Sequence, residues 1–329
     1  MLDKVNISAP SVDEVNDVSK CINNFIVRTP VMRCAALEDK LDIRANVYGK
    51  LEFLQHTGTF KPRGALANLL ALETEERNAG ITAVSAGNHA IGTAYAAKAL
   101  GINAKVVMLS TASPVRIEAC ESLGAEIVFA DSVNEAFSLV NEIQNSEGRF
   151  FVHPFEGRNT VTGTATIGLE LSEQIKEIDA VIVAIGGGGL AAGIGSFLKQ
   201  INPNCEIIGV EPEGAPSISL SIAAKKPIDE SPTDTIADSL AAPFALPYSF
   251  YQCQQFIDEI VTVTDNDLRV AMNFLFSEMK IAVEPACAAT TAALMTSLKG
   301  RFKQNEKIAV IFCGSNIDGP RFLELARLV

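Results

Sequence analysis

Short runs of β-branched and aliphatic residues alternate along this chain with longer stretches whose apolar residues recur at helical spacing. Runs at residues 45–51, 81–84, 104–109, 126–129, 150–152, 180–185, 206–210, 259–263 and 307–312 predict strands. Several, such as 180–185, are apolar without interruption, which is the pattern of parallel strands covered on both faces. Between them lie helical stretches. Ser113 and Pro114 open one that stops near Gly124, Asp265 is placed as the cap of one reaching Met279, and Pro285 opens an Ala-rich one that ends by Gly300. Alternating β and α elements predict an α/β fold with mainly parallel strands. Residues 225–248, with Pro227, Pro232, Pro243 and Pro247, break the pattern. They read either as a surface loop or as a loop that shapes a substrate pocket.

The length of 329 residues predicts two domains, or one large α/β unit with an insertion. With 48% hydrophobic and 20% charged residues the chain has the composition of an ordinary globular protein. Its formal net charge of −12 disfavours nucleic acid and anionic lipid as partners. The acidic start lacks the apolar run of a secretory signal, and no apolar stretch is long enough to span a bilayer, so a cytoplasmic location is expected. The seven cysteines include no C-x-x-C pair and read as reduced, mostly buried thiols. Three histidines leave little from which to build a zinc site.

Four segments carry chemistry. In Gln55-His-Thr-Gly-Thr-Phe-Lys61-Pro-Arg-Gly-Ala65, a polar turn leads into a helix opening near Pro62, which puts Lys61 at the helix mouth. The positive end of the helix dipole disfavours an ammonium there, freeing the neutral amine that Schiff-base chemistry requires. The same position also suits an ordinary loop-end lysine. In Ser85-Ala-Gly-Asn-His-Ala-Ile-Gly92, a turn after a strand offers backbone N–H groups to an anion such as a carboxylate. Asn88 there is either a helix N-cap or a partner for a phenolic oxygen, and His89 reads as a satisfied helix-start histidine. Gly186-Gly-Gly-Gly-Leu-Ala-Ala-Gly193 suits a phosphate at a helix N-terminus. It also satisfies a dinucleotide fingerprint, with Glu211 standing where a ribose-binding acid belongs. In Phe312-Cys-Gly-Ser-Asn-Ile317, Cys313 lies at a strand end, either as a buried small hydrophobe or facing a ligand.

In this order, TGTFKPRGA, SAGNHA, GGGGL and CGSN resemble the fold-type II pyridoxal-phosphate enzymes, most nearly the serine/threonine dehydratases and serine racemases, over nearly the whole chain. The resemblance implies two open parallel-rich sheets flanked by helices, as in the tryptophan synthase beta type. Residues 1–75 and 155–329 would form a large cofactor-binding domain, and 76–154 a small inserted domain that closes over substrate. A homodimer is usual in the group. Lys61 would hold pyridoxal 5'-phosphate as a Schiff base, Phe60 would pack beside it and Asn88 would bond its phenolic oxygen. Gly186, Gly187, Gly188, Gly189 and Leu190 would bind its phosphate, and Cys313 would face its pyridine nitrogen. Ser85, Ala86, Gly87, Asn88 and His89 would hold the substrate carboxylate. The implied reaction is β-elimination on a hydroxy amino acid such as L-threonine or L-serine, with Lys61 as base for the Cα proton, giving a 2-oxo acid and ammonia.

Three positions depart from the family pattern. Ala86 replaces the serine that serves racemases as second acid/base, which favours elimination over inversion. Ser239 stands where glycine is common. The family's divalent or monovalent cation site is matched by Glu211 and Ala215 but has Ser217 at its Asp position. The chain ends at Val329, soon after CGSN, so the C-terminal regulatory domain of longer members is not expected. Rival readings are a serine racemase or β-replacement enzyme, an NAD-dependent oxidoreductase using the glycine loop, and a non-catalytic amino-acid-binding protein.

Overall fold

A computed structural model describes residues 7–85 and 87–327. Its strands are β1 (Val31–Arg33), β2 (Asn46–Lys50), β3 (Ile81–Val84), β4 (Ala104–Leu109), β5 (Glu126–Ala130), β6 (Phe150–Phe151), β7 (Ala180–Ala184), β8 (Glu206–Pro212), β9 (Glu259–Val263) and β10 (Lys307–Ile311). They form two sheets, with orders β1-β2-β10-β7-β8-β9 and β5-β4-β3-β6. Every pairing is parallel except β1 with β2. Each expected strand is present, within two residues of its expected ends. β1 was not expected. Its three residues sit on a sheet edge with two of them exposed, so it leaves no apolar run to read.

Helices cover both faces, as parallel strands require. β7 and β3 are buried along their whole length. Side chains such as Val181, Ile182 and Val183 have no exposed surface, and each contributes about 1.5–3 kcal/mol by leaving water. The core of the six-stranded sheet is continuous from Val15 to Ala326, and two smaller cores cover the faces of the four-stranded sheet.

Two local expectations need correction. The cap of helix Asp265–Met279 is Thr264, not Asp265. Thr264 accepts from Asp267 N while Asp267 reaches back to Thr264 N, and this reciprocal pair satisfies two helix-end donors. Asp265 instead accepts from Thr235 Oγ1 (2.6 Å) and Ile236 N (2.9 Å), tying down the Pro-rich segment. Ser113 precedes helix Pro114–Ser122 but makes no side-chain capping bond.

Under the first sheet lies a buried ionic network. Arg63 bonds Glu52 (2.8 and 2.9 Å) and Glu170 (2.7 and 3.0 Å), and Lys50 also pairs with Glu170. Two cations and two carboxylates, almost without exposure, balance one another there. The network pins helix Lys61–Leu70 to helix Arg158–Gln174. Gly163 lets these helices meet closely, since a Cβ on it would stand 2.3 Å from Arg63 O. No helix among the described residues is long and apolar enough to cross a membrane.

Candidate active site

The carboxyl ends of β3, β7 and β10 open onto one cavity of about 860 Å³. Strand C-termini are where open α/β sheets bind ligands. All four sequence motifs meet there. Phe60, Lys61, Ser85, Gly87, Asn88, His89, Gly186, Gly187, Gly188, Gly189, Leu190 and Cys313 all line it. Ala86 lies outside the described residues.

Lys61 is the first residue of helix Lys61–Leu70, one residue earlier than Pro62 suggested. Its Nζ donates to Pro154 O at 2.6 Å and lies 5.1 Å from the centre of the Phe60 ring. Its pKa is drawn down to about 8, chiefly by burial. Cys313 and Glu284 oppose the shift. The lysine backbone is held from behind by helix Asn88–Leu100, where a Cβ on Gly92 would come within 2.8 Å of Lys61 Cβ.

The segment before Lys61 and the segment after β10 are laced together. Phe60 N donates to Cys313 O, Ser315 N to Gly58 O, and Asn316 Nδ2 to Thr57 O (2.8 Å). This places Cys313 beside Lys61 along the cavity wall. Cys313 is buried, and its thiol is held well above its ordinary pKa by the neighbouring Cys287 thiol and by burial, so it remains a neutral S–H.

Asn88 is not the helix cap. Gly87 holds that position, and Asn88 is the first helical residue, with its side chain buried. Its Nδ2 donates to Glu284 Oε1 (2.6 Å) and Ser239 Oγ (3.3 Å), and its Oδ1 accepts from Asn316 Nδ2 (2.7 Å). His89 Nε2 donates to Val152 O (2.8 Å), and burial lowers its pKa to about 3, so it is a neutral, satisfied histidine, as expected.

The glycine loop follows β7 and opens helix Gly189–Ile201, whose N-terminus faces the cavity. Gly188 has φ +92°, a left-handed conformation that costs other residues energy. A Cβ on Gly187 would meet the Phe155 ring at 2.2 Å, and one on Gly186 would meet Leu240 Cα at 3.0 Å. The loop is thus bare backbone packed closely from behind, and a helix N-terminus favours an anion.

Glu211 has no role open to it as a ribose-binding acid. It is fully buried and accepts from Ile218 N (2.8 Å), Ser219 N (3.0 Å) and Ser219 Oγ. Ala215 is buried nearby, and Ser217 Oγ donates to Gly186 O. Among the described residues no three His, Cys, Asp or Glu side chains converge as metal ligands.

The Pro-rich segment shapes the cavity, since Asp229–Ser231 and Asp238–Phe244 line it. Two residues that sequence reading missed also line it. Arg116 donates to Asp238 Oδ2 (2.6 Å) and to Asn316 O, and stands over Gly87. Glu284, just before the Pro285 that opens a helix, is buried, and its pKa is raised to about 7, chiefly by burial and then by Asp238. Proline at a helix start was legible; the long-range contact of the residue before it was not.

The family described as pyridoxal-phosphate-dependent enzyme matches residues 22–314. The chain is 47% identical to a phenylserine dehydratase of Ralstonia pickettii over 313 residues, covering 95% of each. It is 33% identical to an L-threonine ammonia-lyase of Thermotoga maritima, over 94% of this chain and 76% of the relative. Among solved structures, maize serine racemase superposes with a TM-score of 0.90 at 32% identity, over 96% of this chain and 97% of the other. The motifs, the meeting of two parallel sheets and these likenesses agree: the chain belongs to the pyridoxal-phosphate-dependent enzymes.

Proposed function

We propose that this pyridoxal-phosphate-dependent lyase removes water from a β-hydroxy amino acid and releases a 2-oxo acid and ammonia. The observation that carries the reading is Lys61, a buried amine with a pKa near 8, at the point where glycine loop, carboxylate turn and neutral thiol converge. The relatives named above as dehydratase and ammonia-lyase act on phenylserine and threonine, which are both β-hydroxy amino acids.

The residues fit the cofactor. The glycine loop can pack this closely against Phe155, Leu240 and Cys253 only because it lacks Cβ atoms, its bare backbone N–H groups suit a phosphate, and helix Gly189–Ile201 adds its positive end. Asn88 suits the phenolic oxygen, Cys313 the ring nitrogen and Lys61 the carbonyl carbon. When bound, the cofactor supplies the electron sink that accepts the charge left at Cα.

The protein's own groups do the rest. At pH 7 roughly a tenth of Lys61 is neutral, so the amine is available to take the proton from substrate Cα. The Ser85–His89 turn and the Arg116 guanidinium hold the carboxylate. The neutral Cys313 thiol puts no anion opposite the ring nitrogen, which favours prompt loss of the β-hydroxyl. Ala86 offers no proton to the other face of Cα, and acid–base help there is worth about 10²–10⁴-fold.

We read residues 1–75 and 155–329 as the large domain and 76–154 as the small one that closes over substrate. The four-stranded sheet, built only from strands between residues 81 and 151, supports this division. A homodimer in the cytoplasm completes the reading.

The test is to supply L-serine, L-threonine and phenylserine to the purified enzyme, assaying oxo acid and ammonia together with chiral chromatography of the remaining substrate. Oxo acid and ammonia in excess of the opposite enantiomer are expected, and both should vanish in Lys61→Ala. Inversion that equals or exceeds elimination overturns the reading in favour of a racemase.

A further inference from the structure

One wall of the cavity is aromatic. Phe137, on helix Val133–Glu147, and Phe244, in the Pro-rich loop, meet edge to face with ring centroids 5.2 Å apart. Phe244 also stands 6.2 Å from Phe155, and Phe155 packs against His153 at 4.6 Å and 87°. All four side chains line the cavity with Lys61, and Val133 and Ala136 extend the same wall. Lys61 Nζ bonds the carbonyl of Pro154, the residue between His153 and Phe155, so the wall adjoins the reacting amine.

The wall is uncharged. His153 Nδ1 accepts from Phe155 N (3.3 Å) and Glu156 N (3.1 Å), and burial lowers its pKa to about 3. Arg116 and Asp238 pair with each other over Gly87, and Glu284 sits against Asn88. Asp229 and Glu230 run beside Phe244, tied there by Ser231 N to Pro243 O and Ala245 N to Ile228 O, but both are exposed to solvent. Phe137 and Phe244 remain only partly buried. A hydroxymethyl or hydroxyethyl side chain would leave their rings facing water. A substrate ring would bury them in the edge-to-face contacts that aromatic groups favour. The cavity volume falls within the roughly 300–1,000 Å³ usual for small-molecule sites.

Resting on the dehydratase reading, we infer that Phe137 and Phe244 form the pocket for the substrate's β-substituent and select an aryl group there. Phe137 comes from the side of the four-stranded sheet and Phe244 from the Pro-rich loop, and their edge-to-face contact joins them into one continuous aromatic face for the substituent. Both are specificity-determining residues, and the substrate class is the 3-aryl-serines.

The test uses the cofactor-loaded enzyme and two readouts. The first is kcat/KM for phenylserine relative to L-threonine and L-serine. The second is affinity for L-phenylalanine relative to L-alanine, which carry no β-hydroxyl to lose, followed by visible absorbance. The unaltered enzyme should prefer the aryl member in both by about 10-fold or more. Phe137→Ala and Phe244→Ala should each reduce both preferences by roughly 10-fold. Phe137→Leu and Phe244→Leu, which keep an apolar side chain and much of the volume, should move them in the same direction if an alanine variant fails to fold. Unchanged preferences in the folded variants, or preference for threonine and serine in the unaltered enzyme, overturn the inference and leave the dehydratase reading intact. If no substrate yields oxo acid the dehydratase reading fails, and the phenylalanine-over-alanine affinity alone then decides the pocket.

Discussion

Asn88 and Glu284, 196 positions apart in the chain, share a hydrogen bond of 2.6 Å from Asn88 Nδ2 to Glu284 Oε1 at the cavity wall. The other carboxyl oxygen of Glu284 is buried and has no hydrogen-bond partner among the described residues. A lone buried carboxylate oxygen is costly, and a proton on it reduces the cost.

Glu284 should therefore make stability depend on pH. Its folded pKa, about 7, lies above the ordinary 4.5. A raised carboxyl pKa gives stability that is fully present below the ordinary value and is lost as pH rises through the folded value. Glu284→Gln keeps an oxygen for Asn88 and removes the titration. Between about pH 5 and about pH 8 the cofactor-free native protein should lose stability relative to this variant, by on the order of 3 kcal/mol. Parallel melting-temperature profiles for the two proteins would contradict the assignment.

Gly188 should tolerate no side chain. Its φ of +92° and the Cys253 Sγ that a Cβ would meet at 2.8 Å both oppose substitution. Left-handed strain alone costs about 1–2 kcal/mol. Gly188→Ala should weaken cofactor retention by about 10-fold, read by absorbance after dialysis, and Gly188→Val by more. Retention equal to that of the unaltered enzyme would show that the loop does not cradle the phosphate.

The Arg63 network should matter for stability. Arg63→Met leaves Glu52 and Glu170 buried with only Lys50 to balance them, and breaking such a network costs about 3–5 kcal/mol. Arg63→Lys keeps the charge but loses the planar fork that engages both carboxylates, so it should fall between. Denaturant titration measures both. A loss under about 1 kcal/mol for Arg63→Met would mean that packing, not charge, holds the two helices together.

What was legible in the sequence was local. The apolar runs gave nine of the ten strands among the described residues, and glycine clusters after strands marked the loops that line the cavity. Lys61 was legible from the turn before it, but the cause of its lowered pKa was not, because burial depends on segments such as His153–Phe155 and Cys313 that are distant in sequence. Glu284 and Arg116 were illegible for the same reason, since each acquires its role from a partner more than a hundred residues away. Thr264 was missed because two adjacent residues, Thr264 and Asp265, both suit a cap, and only the contact of Asp265 with Thr235 and Ile236 separates them.

The central claim is that Lys61 is the residue that holds the cofactor, and the most direct measurement is where the cofactor becomes covalently attached. Borohydride reduction of the loaded enzyme followed by peptide mass mapping should place the added mass on Lys61, in the segment from Gln55 to Ala65. The visible band should disappear with reduction. In Lys61→Ala no peptide should carry the mass. Attachment at any other lysine, or labelling that survives in Lys61→Ala, would contradict the account.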